Sequence, residues 1–387
     1  MNEFLTGNQA IVRGALRAGC NFFAGYPITP ASSICSDMIQ ALSERGAQGV
    51  QTEDEIAAIG QCIGAAMAGA KAMTASSGPG LSLYSENIGL AQMGEVPLVI
   101  VDCQRMGPAT GGATTTGDGD IVFARHVTAG GFPLPVLAAT DAASAFRLTY
   151  EAFNIAERLR TPVIVLASKD ISLTRQTVDF NAVELSPLVA RQSAAADAPF
   201  VPYAIEEPVD VPAFAPIGGR QRVRFTGSIH DETGVLTIDR AKIARKLTHL
   251  REKILLVRDS NLPPGESLEY VDVDLDAEAE TLIVSYGAAD GAVREAVAAL
   301  RAAGTRVSHL TIYSLWPVPQ RVLRRAVTPR IRRVIVPELN IGLYGDVLRG
   351  FVGEAAIEPI LCFDGRLIPP QRIVEHVREP SLDRTTA

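Results

Sequence analysis

The chain has 387 residues, 47% of them apolar, and a formal net charge of −7. That length exceeds one typical domain and predicts two or three, while the acidic balance argues against nucleic acid as a partner. No uncharged apolar run reaches the ~18 residues that a membrane span needs. The opening "MNEFLTGNQA" lacks the basic and apolar regions of a secretory signal, so a cytoplasmic location is expected.

In chain order, residues 8–18 space their apolar positions as one helix face ended by Gly19. A short strand follows at 20–25 and a helix at about 30–45. Further strands are expected at 70–76, 97–103, 133–139 and 161–168, with helices at about 55–69, 81–93 and 141–160. Asp141 is placed to cap the last of these. Continuous apolar strands alternating with helices predict a parallel sheet covered on both faces. From 181 to about 220 the chain turns rich in proline and alanine without period, as an extended linker does. A hairpin is expected at 222–240 and an amphipathic helix at 241–254. Alternation resumes near 280, with strands at 281–287, 306–315 and 332–338 and helices at 291–304 and after Gly342. The expected fold class is therefore α/β: a parallel-sheet domain over 1–180, a connecting segment over 181–279 and a smaller α/β domain over 280–387.

The five cysteines, Cys20, Cys35, Cys62, Cys103 and Cys362, form no C-x-x-C pair and no metal spacing with histidine. They read as small core residues, and no metal or cluster motif is expected in this chain. The basic run Arg321, Arg324, Arg325, Arg330, Arg332 and Arg333 reads as a solvated face rather than a polyanion site.

Four segments fall after strand carboxyl ends, where open α/β sheets bind ligands. In "YPITP" each proline fixes its own φ and holds its predecessor extended, so Tyr26 and Thr29 are both stiffened. Thr29 either caps a helix opened by Pro30 or presents a hydroxyl to a ligand. In "QTEDE" the acids Glu53, Asp54 and Glu55 suit a helix N-terminus. Glu55, however, shares a face with Ala58, Ile59, Cys62 and Ile63. A carboxylate at the head of an apolar stripe needs a partner, which makes Glu55 the acid expected to meet a buried ligand. "SSGPG", residues 76–80, opens a helix with N–H groups that can face an anion. "GDGD", residues 117–120, reads as a polar turn more readily than as a diphosphate–magnesium loop. Arg105 ends a buried strand and needs an anion, either an internal carboxylate or that of a ligand, which its fork can grip bidentately.

Taken together and in order, residues 7–34, 53–80, 101–111 and "VPELNIG" at 336–342 resemble segments of the α subunit of the 2-oxoacid:ferredoxin oxidoreductases, and "FTGSIHDETG" resembles that family's middle region. The resemblance spans nearly the whole chain. It implies a thiamine pyrophosphate enzyme split across chains, with residues 1–180 as the pyrimidine-binding domain and 280–387 as a transketolase-C-terminal-like domain. A β subunit would carry the diphosphate-binding domain, Mg2+ and an iron–sulfur cluster. The chain starts directly at the "GNQA" segment, so a γ component, where one exists, is expected as a separate polypeptide beside an α2β2 core.

Matched position by position, the resemblance makes Glu55 the carboxyl group that contacts the aminopyrimidine ring. A carboxyl bonded to a ring nitrogen favours the imino tautomer, whose nitrogen can take the thiazolium carbon's proton; such acid–base groups contribute about 10² to 10⁴ in rate. Thr29 then bonds the 2-oxoacid, Arg105 holds its carboxylate, and Tyr26, Pro27 and Ile28 line the cofactor. The family releases carbon dioxide, passes electrons through iron–sulfur clusters to ferredoxin or another acceptor, and transfers the acyl group to coenzyme A. The segment 112–127 departs from the family's usual pattern and leaves substrate choice among 2-oxoglutarate, branched-chain or aryl 2-oxoacids and pyruvate. The leading expectation is 2-oxoglutarate, with Arg125 or His126 as contacts for a second carboxylate. A thiamine-dependent lyase or synthase without electron transfer, and a non-catalytic scaffold, are the alternatives from other classes.

Overall fold

The computed structural model describes residues 2–195, 197, 199–259 and 267–379. Parts of two expected segments, 260–266 of the connector and 380–387 of the C-terminal domain, lie outside the described residues.

The N-terminal half runs β1 (Asn2–Thr6), α1 (Gly7–Arg17), β2 (Phe22–Gly25), α2 (Ser32–Glu44), β3 (Gln48–Gln51), α3 (Glu55–Met67), β4 (Ala72–Ser76) and α4 (Gly78–Met93). It continues through β5 (Leu98–Gln104), α5 (Ile121–Arg125), β6 (Val136–Ala138), α6 (Ala142–Leu159), β7 (Pro162–Ser168), α7 (Lys169–Leu173) and β8 (Arg175–Asp179). The central strands β4, β5 and β7 are buried at every position, as strands covered on both faces must be. Helix starts follow local chemistry. The Thr6 side chain accepts from the Gln9 N–H while Gln9 answers to the Thr6 N–H, and Asp141 makes the matching pair with Ser144 at the head of α6.

The C-terminal part comprises α8 (Arg240–Asp259), β9 (Val271–Asp274), β10 (Thr281–Ser285), α9 (Ala289–Ala302), β11 (Ser308–Ile312) and β12 (Ser314–Trp316). After these come α10 (Gln320–Ala326), β13 (Arg333–Glu338), α11 (Leu343–Leu348), β14 (Ala356–Leu361) and α12 (Pro370–Arg378). A five-stranded sheet has the order β14-β13-β10-β11-β9, and a seven-stranded sheet the order β12-β6-β7-β5-β4-β2-β3. The five-stranded sheet begins at Val271, ahead of residue 280, because β9 pairs antiparallel with β11.

One expected strand, 306–315, divides between the two sheets. β11 stays in the five-stranded sheet, whereas β12 joins the seven-stranded sheet antiparallel to β6. Tyr313 makes the crossing: its N–H donates to Tyr270 O at 2.9 Å and its carbonyl accepts from Ala138 N at 2.7 Å. A run of apolar residues cannot reveal such a change of sheet, since both halves are equally buried. The expected hairpin at 222–240 is an irregular loop with one bridge, His230 to Leu236. The pair β1–β8 is a two-stranded ribbon that the residue pattern did not suggest.

The connector is fastened by buried polar side chains of α6. Glu151 accepts from Ser186 N at 2.9 Å, Asn154 from Val189 N at 2.9 Å, and Glu157 pairs with Arg191 at 2.7 Å. Buried polar groups at these positions satisfy a segment that has no ladder of its own. Helix α8 docks through an apolar face that buries Leu250 and Ile254, as the expected amphipathic helix would, and through charge beside it. Lys246, His249 and Lys253 reach the fully buried Glu95 at 2.6, 2.9 and 2.7 Å. The basic run near residue 330 disperses into ion pairs, among them Arg321–Glu269, Arg330–Glu278 and Arg333–Glu358.

Candidate active site

Strand order reverses direction between β2 and β4: β3 lies on one side, β5 and β7 on the other. Loops leaving the carboxyl ends of strands at such a switch point diverge and leave a crevice. Around it, the loop after β2 carries Thr29, the turn after β3 carries Glu55, the turn after β4 carries residues 76–80, and the end of β5 carries Asp102 and Arg105. Four neighbouring strands thus bring together the three residues singled out in the sequence.

Asp54, not Glu55, does the capping work at α3, accepting from Ala57 N at 2.7 Å. Glu55 is freed by this to turn inward and is buried. It lies against Gly80 so closely that a Cβ there would overlap Ser76 Oγ and come within 2.7 Å of Glu55 Oε1. Only glycine permits this approach.

The "YPITP" loop does not start the helix: α2 opens at Ser32 with Ala31 as its cap residue and no side-chain cap bond. Thr29 therefore does not cap, and its side chain is exposed at the crevice edge with Tyr26 and Pro27, while Ile28 packs half-buried on the core. The buried Arg105 donates through Nη1 to the Thr29 carbonyl at 2.7 Å. Behind the loop, the wholly buried amide of Asn8 donates to Pro30 O and to Ser33 Oγ, both at 2.8 Å, and accepts from Cys103 Sγ at 3.5 Å.

Buried polar atoms without a partner among the described residues gather at this edge: Ser76 Oγ, Ser77 Oγ, both oxygens of Asp102, Arg105 Nε and one oxygen each of Asp118 and Asp120. Buried polar groups are normally paired, so this density of unpaired ones marks the crevice as built for a ligand. The "GDGD" segment, expected as a polar turn, takes part in the interior. The Asp118 carboxylate accepts from Ser168 Oγ at 2.8 Å, and its main chain bonds Leu339 and Asn340 of the "VPELNIG" segment at 3.0 and 2.9 Å. Burial pushes Asp118 up to about 7 and Asp120 up to about 6. Asp102 is raised well above the usual range by burial and by the neighbouring Asp120 and Asp118 charges. Asp102 carried a legible signal, a lone charge inside "PLVIVDC"; Asn8 carried none.

Arg125 and His126 stand apart from this group. Arg125 lies over the Trp316 ring at 4.3 Å, and both line a cavity of about 310 Å³ whose walls include none of Thr29, Glu55 or Arg105. The cation–π contact accounts for Arg125, and a role for either residue in gripping a second carboxylate has no geometric support. Ser285, His309 and Asp290 meet in the C-terminal sheet, but Ser285 Oγ and Asp290 Oδ1 both approach the same ring nitrogen of His309, at 2.7 and 3.4 Å. A nucleophilic triad needs the carboxylate on the other nitrogen, so this is a structural network. All five cysteines are buried and free. Among the described residues no group of three or more His, Cys, Asp or Glu is arranged to hold a metal ion, and no helix is long and apolar enough to cross a membrane.

Residues 13–248 match the family model described as pyruvate flavodoxin/ferredoxin oxidoreductase, thiamine diP-bdg, and residues 279–373 match pyruvate:ferredoxin oxidoreductase core domain II. The 2-oxoglutarate synthase subunit KorA of Methanothermobacter marburgensis is 37% identical over 381 residues, covering 97% of this chain and 98% of the relative. Among solved structures, a 2-oxoglutarate:ferredoxin oxidoreductase from Magnetococcus marinus with 2-oxoglutarate, coenzyme A and succinyl-CoA bound superposes with a TM-score of 0.87 at 32% identity. That match covers 97% of this chain and 64% of the other, so the chain spans under two thirds of its length. A split-gene transketolase, an inactive β4 tetramer, reaches a TM-score of 0.51 at 13% identity, a likeness of fold alone. The chain belongs to the 2-oxoacid:ferredoxin oxidoreductase family, in which it corresponds to the α subunit.

Proposed function

We propose that this subunit serves the CoA-dependent oxidative decarboxylation of 2-oxoglutarate, using thiamine diphosphate held between it and a β subunit, with electrons leaving through partner-chain iron–sulfur clusters to ferredoxin or another acceptor. The observation that carries the reading is the convergence of Glu55, Thr29 and Arg105 on one crevice at the switch point of the sheet. The substrate assignment draws on the names of the relatives.

The residues present fit the cofactor. Glu55 is a buried carboxyl packed against Gly80, where a Cβ would not fit, beside two unpartnered serine hydroxyls. When bound, thiamine diphosphate supplies the carbon nucleophile that the 2-oxoacid requires. Glu55 would orient the aminopyrimidine ring and hold or release a proton at its ring nitrogen. Tyr26, Pro27 and Ile28 would form the wall beside the ring. Arg105, anchored on the Thr29 carbonyl, would offer its remaining N–H groups to the substrate carboxylate, and the Thr29 hydroxyl would bond the keto acid from the opposite side. The diphosphate, Mg2+ and clusters are assigned to a β subunit as the family resemblance implies, with this chain supplying the thiamine-binding match over residues 13–248.

The test is CoA-dependent dye reduction by the purified native complex across a panel of 2-oxoacids. Turnover confined to 2-oxoglutarate is the expected result. Turnover with pyruvate or branched-chain acids alone would replace the substrate, and none with any 2-oxoacid would overturn the reading.

A further inference from the structure

Asp102 sits near the carboxyl end of the buried β5 strand, in register with Ser76 of β4, and three residues before Arg105. It is 1% exposed, and neither carboxylate oxygen receives a hydrogen bond from a described residue. Asp120 Oδ2 is likewise buried without a partner and lies against Gly78, two residues beyond the Ser76 that Asp102 faces, so the two carboxyls are neighbours. Asp120 is fixed from two directions: its N–H donates to Gln104 Oε1 at 3.1 Å, and its carboxylate presses on Gly78, where a Cβ would lie 2.9 Å from Oδ2. Two bare carboxylates in contact repel, and a buried carboxylate without donors is costly. A bond between them exists only when one carries a proton.

We propose that Asp102 and Asp120 share one proton and, by carrying a single negative charge between them, leave Arg105 turned to Thr29 and available to the substrate carboxylate. The inference rests on the 2-oxoacid reading above, and it makes the pair positioning residues that act through Arg105. Charge balance is the reason. Arg105 is the cation that faces both carboxyls, and its Nε has no partner among the described residues. With one proton in the pair, a single negative charge competes for the guanidinium, and Nη1 stays on the Thr29 carbonyl at 2.7 Å. Losing that proton to solvent doubles the competing charge and draws the guanidinium back towards the pair.

The other groups nearby do not relieve this. Asp118 adds a further carboxyl, and behind it stand Asp170, paired with Lys169 at 2.8 Å, and the Tyr286 hydroxyl. Cys103, next in the strand, is buried as a neutral thiol, pushed up to about 12. The raised carboxyls agree with the geometry: burial pushes both up, Asp120 to about 6 and Asp102, beside the Asp120 charge, well above its ordinary value. The sign follows. The arrangement that favours substrate is complete near neutral pH and is lost as the pH rises through the point where Asp102 ionises.

The experiment uses the native complex with Asp102→Asn, and Asp120→Asn as the second variant should the first not assemble. In the wild-type complex KM for 2-oxoglutarate should rise about tenfold on going from neutral to alkaline pH, the scale of one charged hydrogen bond. In either variant that rise should be flattened, because an amide cannot ionise. An independent readout is the C=O band of a protonated buried carboxyl at neutral pH in the wild-type-minus-Asp102→Asn infrared difference spectrum, which cancels the band of the neighbouring Asp118. An unchanged alkaline rise in the variants, or no such band in the difference spectrum, overturns the proposal. A complex without activity on any 2-oxoacid would sink the functional reading instead, while the infrared band would still decide whether the proton is shared.

Discussion

Arg105 reaches across from the end of β5 and donates through Nη1 to the main-chain carbonyl of Thr29 at 2.7 Å. Two residues separated by 76 positions in the chain are thereby locked to one another before any substrate arrives. The bond fixes the guanidinium plane, so its remaining donors point in a set direction, which is how an enzyme limits the entropy lost on binding.

Arg105→Lys should therefore raise KM for the 2-oxoacid by about tenfold or more, since an ammonium cannot hold Thr29 and a carboxylate with one planar fork. Thr29→Ala keeps the carbonyl and removes only the hydroxyl, so its loss should be smaller in KM and appear partly in kcat. Steady-state kinetics of the two variants checks this; equal effects would mean that the carbonyl anchor does not matter.

Glu55→Gln should lower kcat by about 10² to 10⁴ with the complex still assembled, the range for loss of a positioned acid–base group. Size-exclusion chromatography and turnover of the same preparation separate the two. Wild-type turnover in the variant would remove Glu55 from the chemistry.

Asn8 holds the back of the Thr29 loop through Pro30 and Ser33 and is joined to β5 through Cys103. Asn8→Ala leaves a buried carbonyl unpaired, at a cost of about 1–3 kcal/mol. Besides lowering the unfolding temperature, it should raise KM through the displaced Thr29–Arg105 pair. Asn8→Asp, which cannot donate to Pro30 when ionised, should behave likewise. Stability loss with unchanged KM would make Asn8 a packing residue only.

Glu95 lies at the opposite, amino-terminal end of β5 and gathers Lys246, His249 and Lys253. Glu95→Gln leaves buried cations uncompensated and should cost about 3–5 kcal/mol of stability. Burial raises the Glu95 carboxyl, but the attraction of Lys246, Lys253 and His249 outweighs it and holds the group well below its ordinary value. A depressed folded-state value means that this contribution is present above the usual carboxylate range and lost as the pH falls through the folded one. Thermal unfolding of wild type and variant between neutral and acid pH should show their difference shrinking on the acid side.

Much of this was written in local pattern. The alternation of apolar strands and helices predicted a parallel sheet with a second, smaller α/β unit. Three acids at a helix start were told apart by the apolar stripe that only Glu55 heads, and the structure buries Glu55 while Asp54 caps. The proline-stiffened loop and the strand-end arginine were visible for the same reason: each states a local constraint. What the residues alone did not settle was where long-range partners lie. The "GDGD" turn looks the same in sequence whether solvent or a buried interface surrounds it, and only the docking of residues 336–342 on Asp118 made it interior. Asn8, the split of 306–315 between two sheets at Tyr313, and the charged seat of α8 on Glu95 belong to the same class. Periodicity reports which face of an element is covered. It carries no information about what covers it, and that was decided by the tertiary packing.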